Sequence, residues 1–213
     1  MMKEIVIATR NSGKIREMIN AFGALPIKIV SLADFGALPD AVEDGKTFAE
    51  NALIKAQFFS RLLNRACLAD DSGLCVDALD GMPGVYSARF ASFRSIADIS
   101  RAADSNDGEN NAMLIRELER VGAEQSTAFY ECALCLVDID GTIIQTQGIC
   151  RGVIKKIPRG TGGFGYDPYF YIDAEKTMAE LTLEQKDQIS HRGRALRLMA
   201  NKMSDWSERR VRD

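Results

Sequence analysis

Adjacent carboxylates at Asp70-Asp71 follow the apolar run Cys67-Leu68-Ala69 and precede Ser72-Gly73. The apolar run reads as a strand, so both acids stand at or just past its end, where an ion can be held. Side chains that are neighbours on extended backbone diverge, so one of the pair faces a given ion and the other does not. Glu43, in the loop ahead of a helix predicted from Phe48, can join them as an oxygen ligand. Mg²⁺ asks for few protein carboxylates, because phosphates and water complete its shell. The same stretch also suits a turn at Ser72-Gly73 carrying two solvated aspartates.

A second constellation is Thr9-Arg10-Asn11-Ser12-Gly13-Lys14, between an apolar run and a segment with helical spacing. Strand, tight polar turn and a helix start bearing Lys make an anion cradle from backbone N–H groups, the helix dipole and an ammonium. Phosphate is the natural guest. A Walker A loop is excluded, because Ala8 stands five residues before Gly13 and Ile15 follows Lys14. The alternative is a capped helix start with Lys14 in solvent. Lys55, on the next predicted helix, is a solvated lysine or, beside phosphate, a second cation.

Gly160-Thr161-Gly162-Gly163-Phe164-Gly165-Tyr166-Asp167-Pro168 contains G-x-G-x-x-G by letter, but proline follows where a dinucleotide fold needs a helix. The glycines still imply close backbone approach. Phe164 with Asp167 suits a base or sugar, by stacking and a hydrogen bond; otherwise Phe164 plugs the core. His191, the only histidine, stands beside Arg192 at a helix start, like a binding pair for an oxygen-rich ligand. No serine sits in a nucleophile elbow, so serine-histidine-carboxylate catalysis is not expected. Cys132 and Cys135 spell C-x-x-C inside a β-rich run, where they face opposite sides of a sheet. With an odd total of 5, the cysteines read as buried thiols.

The elements that must position these groups follow in order. Lys3 to Ala8 is a strand buried on both faces, and helix follows Gly13. Pro26 to Ser31 is a second strand. Thr47-Phe48-Ala49-Glu50 fits a capping box opening a helix to Asn64, with Phe48, Ala52, Ala56, Phe59 and Leu63 apolar. Gly81 to Gly84 is turn-rich, and Ser92 to Gly108 is a polar excursion. Glu109 to Val121 is a helix with Ala112, Leu114, Ile115 and Leu118 buried. Thr127 to Asp138 and Thr142 to Ile149 form a hairpin around Asp140-Gly141, with a further strand over Arg151 to Ile157. Thr182-Leu183-Glu184-Gln185 caps a short helix bearing Lys186, and Ser190 is the expected N-cap of the last helix.

The 213 residues are 46% hydrophobic and 27% charged, enough for a full core in one large domain or two small lobes. A net charge of -3 with dispersed basic residues argues against a long nucleic acid as partner. Apolar runs are too short for a membrane span and no signal-peptide layout opens the chain, so a cytoplasmic protein is expected. No repeat, low-complexity tract or linker appears.

Taken together, T-R-N-S-G-K, F-A-E-N-A-L-I-K-A, A-D-D-S-G-L-C-V-D, G-V-Y-S-A-R, G-T-G-G-F-G-Y-D-P and S-H-R-G-R-A-L closely resemble, in order, the Ham1-like inosine triphosphate pyrophosphatase family, the dITP/XTP pyrophosphatases. The resemblance spans almost the whole chain. It implies an elongated, two-lobed α/β mixed-sheet fold with a central nucleotide-binding cleft, 1–213 as a single domain without a separable linker, and a homodimer. It also implies Mg²⁺-dependent hydrolysis of non-standard purine nucleoside triphosphates (dITP/ITP, dXTP/XTP) to monophosphate and pyrophosphate, cleansing the nucleotide pool.

Carried over, the resemblance makes Thr9, Arg10, Asn11, Ser12, Gly13 and Lys14 the triphosphate loop, with Lys55 a further phosphate cation. Glu43 and Asp71 match the metal ligands. Asp71 also matches the proton acceptor, with Asp70 beside it and Ser72 on substrate. Phe164, Gly165, Tyr166, Asp167, Lys186, His191 and Arg192 match the base pocket. In the expected chemistry Lys14 joins the two aspartates as a catalytic group, stabilising charge while pyrophosphate departs. Two departures stand out: Arg10 occupies a position where relatives carry a small or amide residue, and the polar stretch before Asn110 is longer than usual. The alternatives from other classes are a non-catalytic purine-nucleotide sensor and a phosphatase releasing orthophosphate.

Overall fold

A computed structural model describes residues 3–92 and 104–209. The order is β1 (Lys3–Ile7), α1 (Ser12–Phe22), β2 (Ile27–Ser31), α2 (Phe48–Leu63), β3 (Ala66–Val76), α3 (Asp107–Arg120), β4 (Gln125–Val137), β5 (Ile143–Lys155), β6 (Phe170–Tyr171), α4 (Leu183–Ile189) and α5 (His191–Arg209). One six-stranded sheet runs β2-β1-β3-β4-β5-β6, parallel at β1/β2 and β1/β3 and antiparallel at β5/β6. The mixed-sheet α/β expectation is borne out. No helix of the described residues is long and apolar enough to cross a membrane.

The described residues gather in two compact units. The first holds the chain up to Asp71, Cys132–Gly148 and the segment from His191; the second holds Ser72–Glu131 and Ile149–Ser190. In the first, β1, α1 and β2 form a βαβ unit, and α2 leads back to β3 on the other side of β1. Ile5, Val6 and Ile7 are almost fully buried, as a strand covered on both faces requires. Ile7 pairs with Leu68, so the chain leaving the carboxyl end of β1 runs beside the acids that follow Leu68, which stand not at the end of a strand, as expected, but in the middle of β3. Ile5, Ile7, Leu68, Cys132, Leu134 and Leu136 pack with Met18 and Phe22 of α1 and with Ala195, Leu196, Met199 and Trp206 of α5.

In the second unit Leu74, Val76, Phe90, Leu114, Leu118, Tyr130, Cys150, Ile154, Tyr166 and Phe170 form the core. Here the structure corrects several expectations. Ser72 and Gly73 do not turn the chain; β3 runs straight through them to Val76. Gly73 serves close packing instead, since a Cβ there would stand 2.2 Å from Ser87 Oγ, and that hydroxyl accepts the Leu74 N–H at 2.9 Å. The strands expected over Thr142–Ile149 and Arg151–Ile157 are one continuous β5, carried through buried Cys150. The short strand β6 carried no recognisable pattern.

α3 begins at Asp107, two residues early, because Asn106 caps it in a box with Glu109. Of the expected polar excursion, residues 93–103 lie outside the described residues. The hairpin at Asp140-Gly141 has a three-residue loop, closed by Asp138 N–H on Thr142 O and Gly141 N–H on Asp138 O. Ser190 is extended, between α4 and α5. All five cysteines are buried thiols, none in a disulfide.

Candidate active site

Period-2 alternation decides what each acid of β3 meets. Leu68 faces the core made by α1 and α5, and Asp70, two residues on, faces the same way. Asp70 is 0% exposed and takes Arg192 Nε at 2.9 Å, the Cys132 thiol at 3.1 Å and the Lys14 ammonium. Arg192, from the first turn of α5, also places Nη1 2.7 Å from Glu17 of α1. Burial alone would raise the Asp70 carboxyl; the charges of Arg192 and Lys14 outweigh it and hold the group well below the usual carboxylate range. Two acids and two cations thus close on one another in the interior of the first unit.

Asp71 points to the other face, 9% exposed, where α2 supplies its neighbours. Burial pushes its carboxyl up to about 6, against the pull of Lys55 and Lys14, with Glu43 adding to the rise and the Asn51 amide hydrogen-bonded to it. Lys55 donates to Glu43 at 2.9 Å and to the Asp70 carbonyl at 3.2 Å. Burial would lower the Lys55 ammonium, but Glu43 and Asp71 raise it, so it stays charged. Asn51, one turn before Lys55, accepts the Gly45 N–H at 2.8 Å and so ties down the loop that carries Glu43. Ser72 follows Asp71 on the strand, half-buried.

No cluster of three or more His, Cys, Asp or Glu among the described residues forms a metal cage. Glu43 and Asp71 nonetheless fit a hard divalent cation that draws the rest of its shell from water and phosphate. Asp71 is held uncomfortably as an anion partly by Glu43, and a dication is what relieves two such neighbours.

The loop after β1 is a capped helix start, and its lysine is not in solvent. Asn11 Oδ1 accepts the Gly13 and Lys14 N–H groups at 2.9 and 3.1 Å, and Asn11 N–H donates to Thr9 Oγ1 at 3.2 Å. An anion arriving here competes with the Asn11 cap for two amides. Ser12 opens α1. Arg10 reaches away, to Asp40 and, at 2.7 Å, to the Leu38 carbonyl. His191 is buried at the start of α5, where a Cβ on Gly148 would stand 2.1 Å from its carbonyl oxygen; glycine lets β5 press against the helix end. Thr146 Oγ1 donates to Ala195 O at 3.0 Å and fixes the same end.

The glycine loop belongs to the second unit, and turns and β6, not a helix, follow it directly. Asp167 is buried and accepts Lys186 Nζ at 2.7 Å and Phe164 N–H at 2.9 Å. Lys186 is 6% exposed and lies 4.5 Å over the Phe164 ring. Phe164 is half-buried; the residue that plugs the core is Tyr166, whose hydroxyl donates to Ser87 O at 2.7 Å. Gly163 admits Asp167, whose Oδ2 would stand 2.0 Å from a Cβ there. The Tyr130 hydroxyl is raised well above its ordinary range by burial and then by Asp167. Asp167 therefore organises the loop and its lysine.

The structure brings together Lys14, Asp70 and Arg192 on one face of β3 and Glu43, Lys55 and Asp71 on the other, and separately Phe164, Asp167 and Lys186. Glu17, Asn51 and Cys132 were missed by sequence reasoning. Their partners lie far along the chain or carry no motif of their own, although Asn51 lies in the F-A-E-N-A segment.

The sequence model of the Ham1 family matches residues 5–202. The dITP/XTP pyrophosphatase of Geobacillus kaustophilus is 50% identical over 92% of this chain and 91% of its own length. That of Geobacter sulfurreducens is 48% identical over 93% and 95%. Among solved structures, a HAM1 protein from Coxiella burnetii superposes with a TM-score of 0.83 at 36% identity, covering 96% of this chain and 100% of that one. The Staphylococcus aureus Ham1 protein gives 0.78 at 35%, covering 95% and 99%. With the ordered motifs, the fold and full-length relatives in agreement, this chain belongs to the Ham1 family.

Proposed function

We propose that this chain hydrolyses dITP, XTP and related non-standard purine nucleoside triphosphates to the monophosphate and pyrophosphate, with Mg²⁺, as a cytoplasmic homodimer that clears the nucleotide pool. The observation that carries the reading is a buried carboxylate pushed up to about 6 beside a second acid and a buried ammonium: Asp71 with Glu43 and Lys55. The names of the relatives supply the substrate class.

Water attacks the α-phosphorus, its oxygen forms the new P–O bond, the bond to the bridging oxygen breaks and pyrophosphate leaves. Asp71 accepts the proton that the water gives up. Lys14 and Lys55 oppose charge growing on the phosphoryl oxygens, and Thr9, Asn11, Ser12 and Gly13 hold the phosphates, while the Arg10 side chain stays with Asp40 and Leu38. Asp70, with its oxygens on Lys14, Arg192 and Cys132, positions Lys14. Glu43 and Asp71 would hold Mg²⁺, which supplies charge against the phosphates when bound. Ser72 contacts substrate. Phe164 to Asp167, Lys186, His191 and Arg192 take the base, with Phe164 stacking. The Lys186 ammonium donates to a 6-oxo group; a 6-amino group would set donor against donor, worth about 1–3 kcal/mol.

Product analysis tests this with Mg²⁺ and, separately, ITP, dITP, XTP, dGTP and ATP. Pyrophosphate and monophosphate, fastest from the non-standard bases, are expected. Orthophosphate would place the cut at the γ-phosphate, and binding without turnover would make the protein a sensor; either result overturns the reading.

A further inference from the structure

The glycine loop is gripped from a helix to which no role has been assigned. Asp107 opens α3, and its Oδ2 accepts the N–H of Gly165 at 2.7 Å. Asn111, one turn on and therefore on the same face, donates from Nδ2 to the carbonyl of the same Gly165 at 3.1 Å. Both backbone groups of one residue are thus held by two side chains of one helix. Gly165 has φ +63°, a conformation that leaves few residues but glycine at this point. On either side, Phe164 N–H is on Asp167 and the Tyr166 hydroxyl is on Ser87 O. The tripeptide Phe164-Gly165-Tyr166 is pinned at every position, and both side chains that hold Gly165 come from α3.

We propose that Asp107 and Asn111 are positioning residues for base selection. They fix Gly165, and with it the plane of the Phe164 ring beneath the Lys186 ammonium, so that a 6-oxo purine stacks with its oxygen against that donor. The inference rests on the base-binding role given above to Phe164 and Lys186. The physical reason is the tolerance of such a contact: a ring shifted by about 1 Å still stacks on any base, but a displaced donor no longer tells 6-oxo from 6-amino. Loss of the clamp therefore costs discrimination before it costs chemistry, which falls to Asp71 and the lysines.

The test compares kcat/KM for dITP and dATP in the purified full chain and in Asp107→Ala, Asn111→Ala and the double variant. The dITP/dATP ratio is expected to fall about 5-fold per lost hydrogen bond, mostly through KM for dITP, with kcat on dITP within about 3-fold. Asp107→Asn keeps an acceptor oxygen and should hold the ratio within about 2-fold of the parent. If both substrates weaken together and the ratio stays put, the residues merely support the fold and the proposal is overturned. Should the double variant not fold, the single Asn111→Ala carries the same test. Phe164→Ala and Lys186→Met separate the two levels. A ratio they lower but the α3 variants do not touch overturns the clamp alone, whereas a ratio unmoved by any of these changes overturns the base-binding reading together with the clamp.

Discussion

The two faces of β3 present the same side chain to opposite surroundings. On one, Asp70 meets two cations that exceed its desolvation, and its carboxyl is held far below the usual range. On the other, Asp71 feels Lys55, already shared with Glu43, and Lys14, which is paired with Asp70; burial outweighs both and the carboxyl is pushed up to about 6. Neither residue differs in type, strand or sequence neighbourhood. The difference is Arg192 of α5, which is on Asp70 and has no counterpart at Asp71, and it divides a carboxylate held ionised from one that binds a proton more readily.

The strongest break of that comparison is Asp71→Asn. Turnover of dITP should fall about 10²–10⁴-fold while nucleotide binding persists, as equilibrium dialysis would show; undiminished turnover would remove Asp71 from the mechanism. Asp70→Asn should hardly resemble it. Arg192 and Lys14 would be left without their buried counter-charge, at a cost of about 3–5 kcal/mol by denaturant titration at pH 7. Because the folded pKa of Asp70 lies below the unfolded value of about 3.9, its contribution is complete above that value and is lost as pH falls through the folded one. The gap between Asp70→Asn and the parent should therefore close only in strong acid.

For Asp71 the sign reverses. Its folded carboxyl binds a proton more readily than the unfolded one, so stability declines as pH rises from about 4 to about 6, and the ionised group is a burden above that. Asp71→Asn should be more stable than the parent by about 1–3 kcal/mol at pH 7.5 in chelator, with the gain gone near pH 4. Thermal melts at the two pH values check this. A variant less stable than the parent at pH 7.5 would mean that Asp71 is better solvated or better paired than its surroundings indicate.

How much of this was legible beforehand follows from distance along the chain. Lys14, Lys55 and Asp71 could be named because each sits on a segment whose own pattern fixes its place: a turn before helical spacing, a capping box, an apolar run. The divergence of Asp70 from Asp71 followed from strand geometry alone. Which acid would be held ionised did not, because the decisive partner, Arg192, lies 122 residues from Asp70, and Glu17, which holds that guanidinium, lies 175 residues from Arg192. Gly73 looked like a turn for the ordinary reason that glycine usually is one; only the approach of Ser87 shows that a strand needed the space. Of the α3 clamp, Asn111 lay in the expected helix, but Asp107 was hidden in a stretch read as polar excursion, although Asn106 and Glu109 carried the signature of a helix start.

The smallest effect concerns Arg10, which the family resemblance marks as unusual in a phosphate-binding loop. Its guanidinium is turned to Asp40 and the Leu38 carbonyl, and the side chains of the pair are 53% and 80% exposed. An ion pair so open to water and salt contributes at most about 1 kcal/mol. Arg10→Asn should therefore change stability by less than that and kcat/KM for dITP by less than about 3-fold. A loss above about 10-fold, shrinking as salt is raised, would instead place Arg10 on the triphosphate. The cations that matter would then extend from the face of Asp71 into the loop after β1, and the division between the two faces of β3 would no longer describe the whole site.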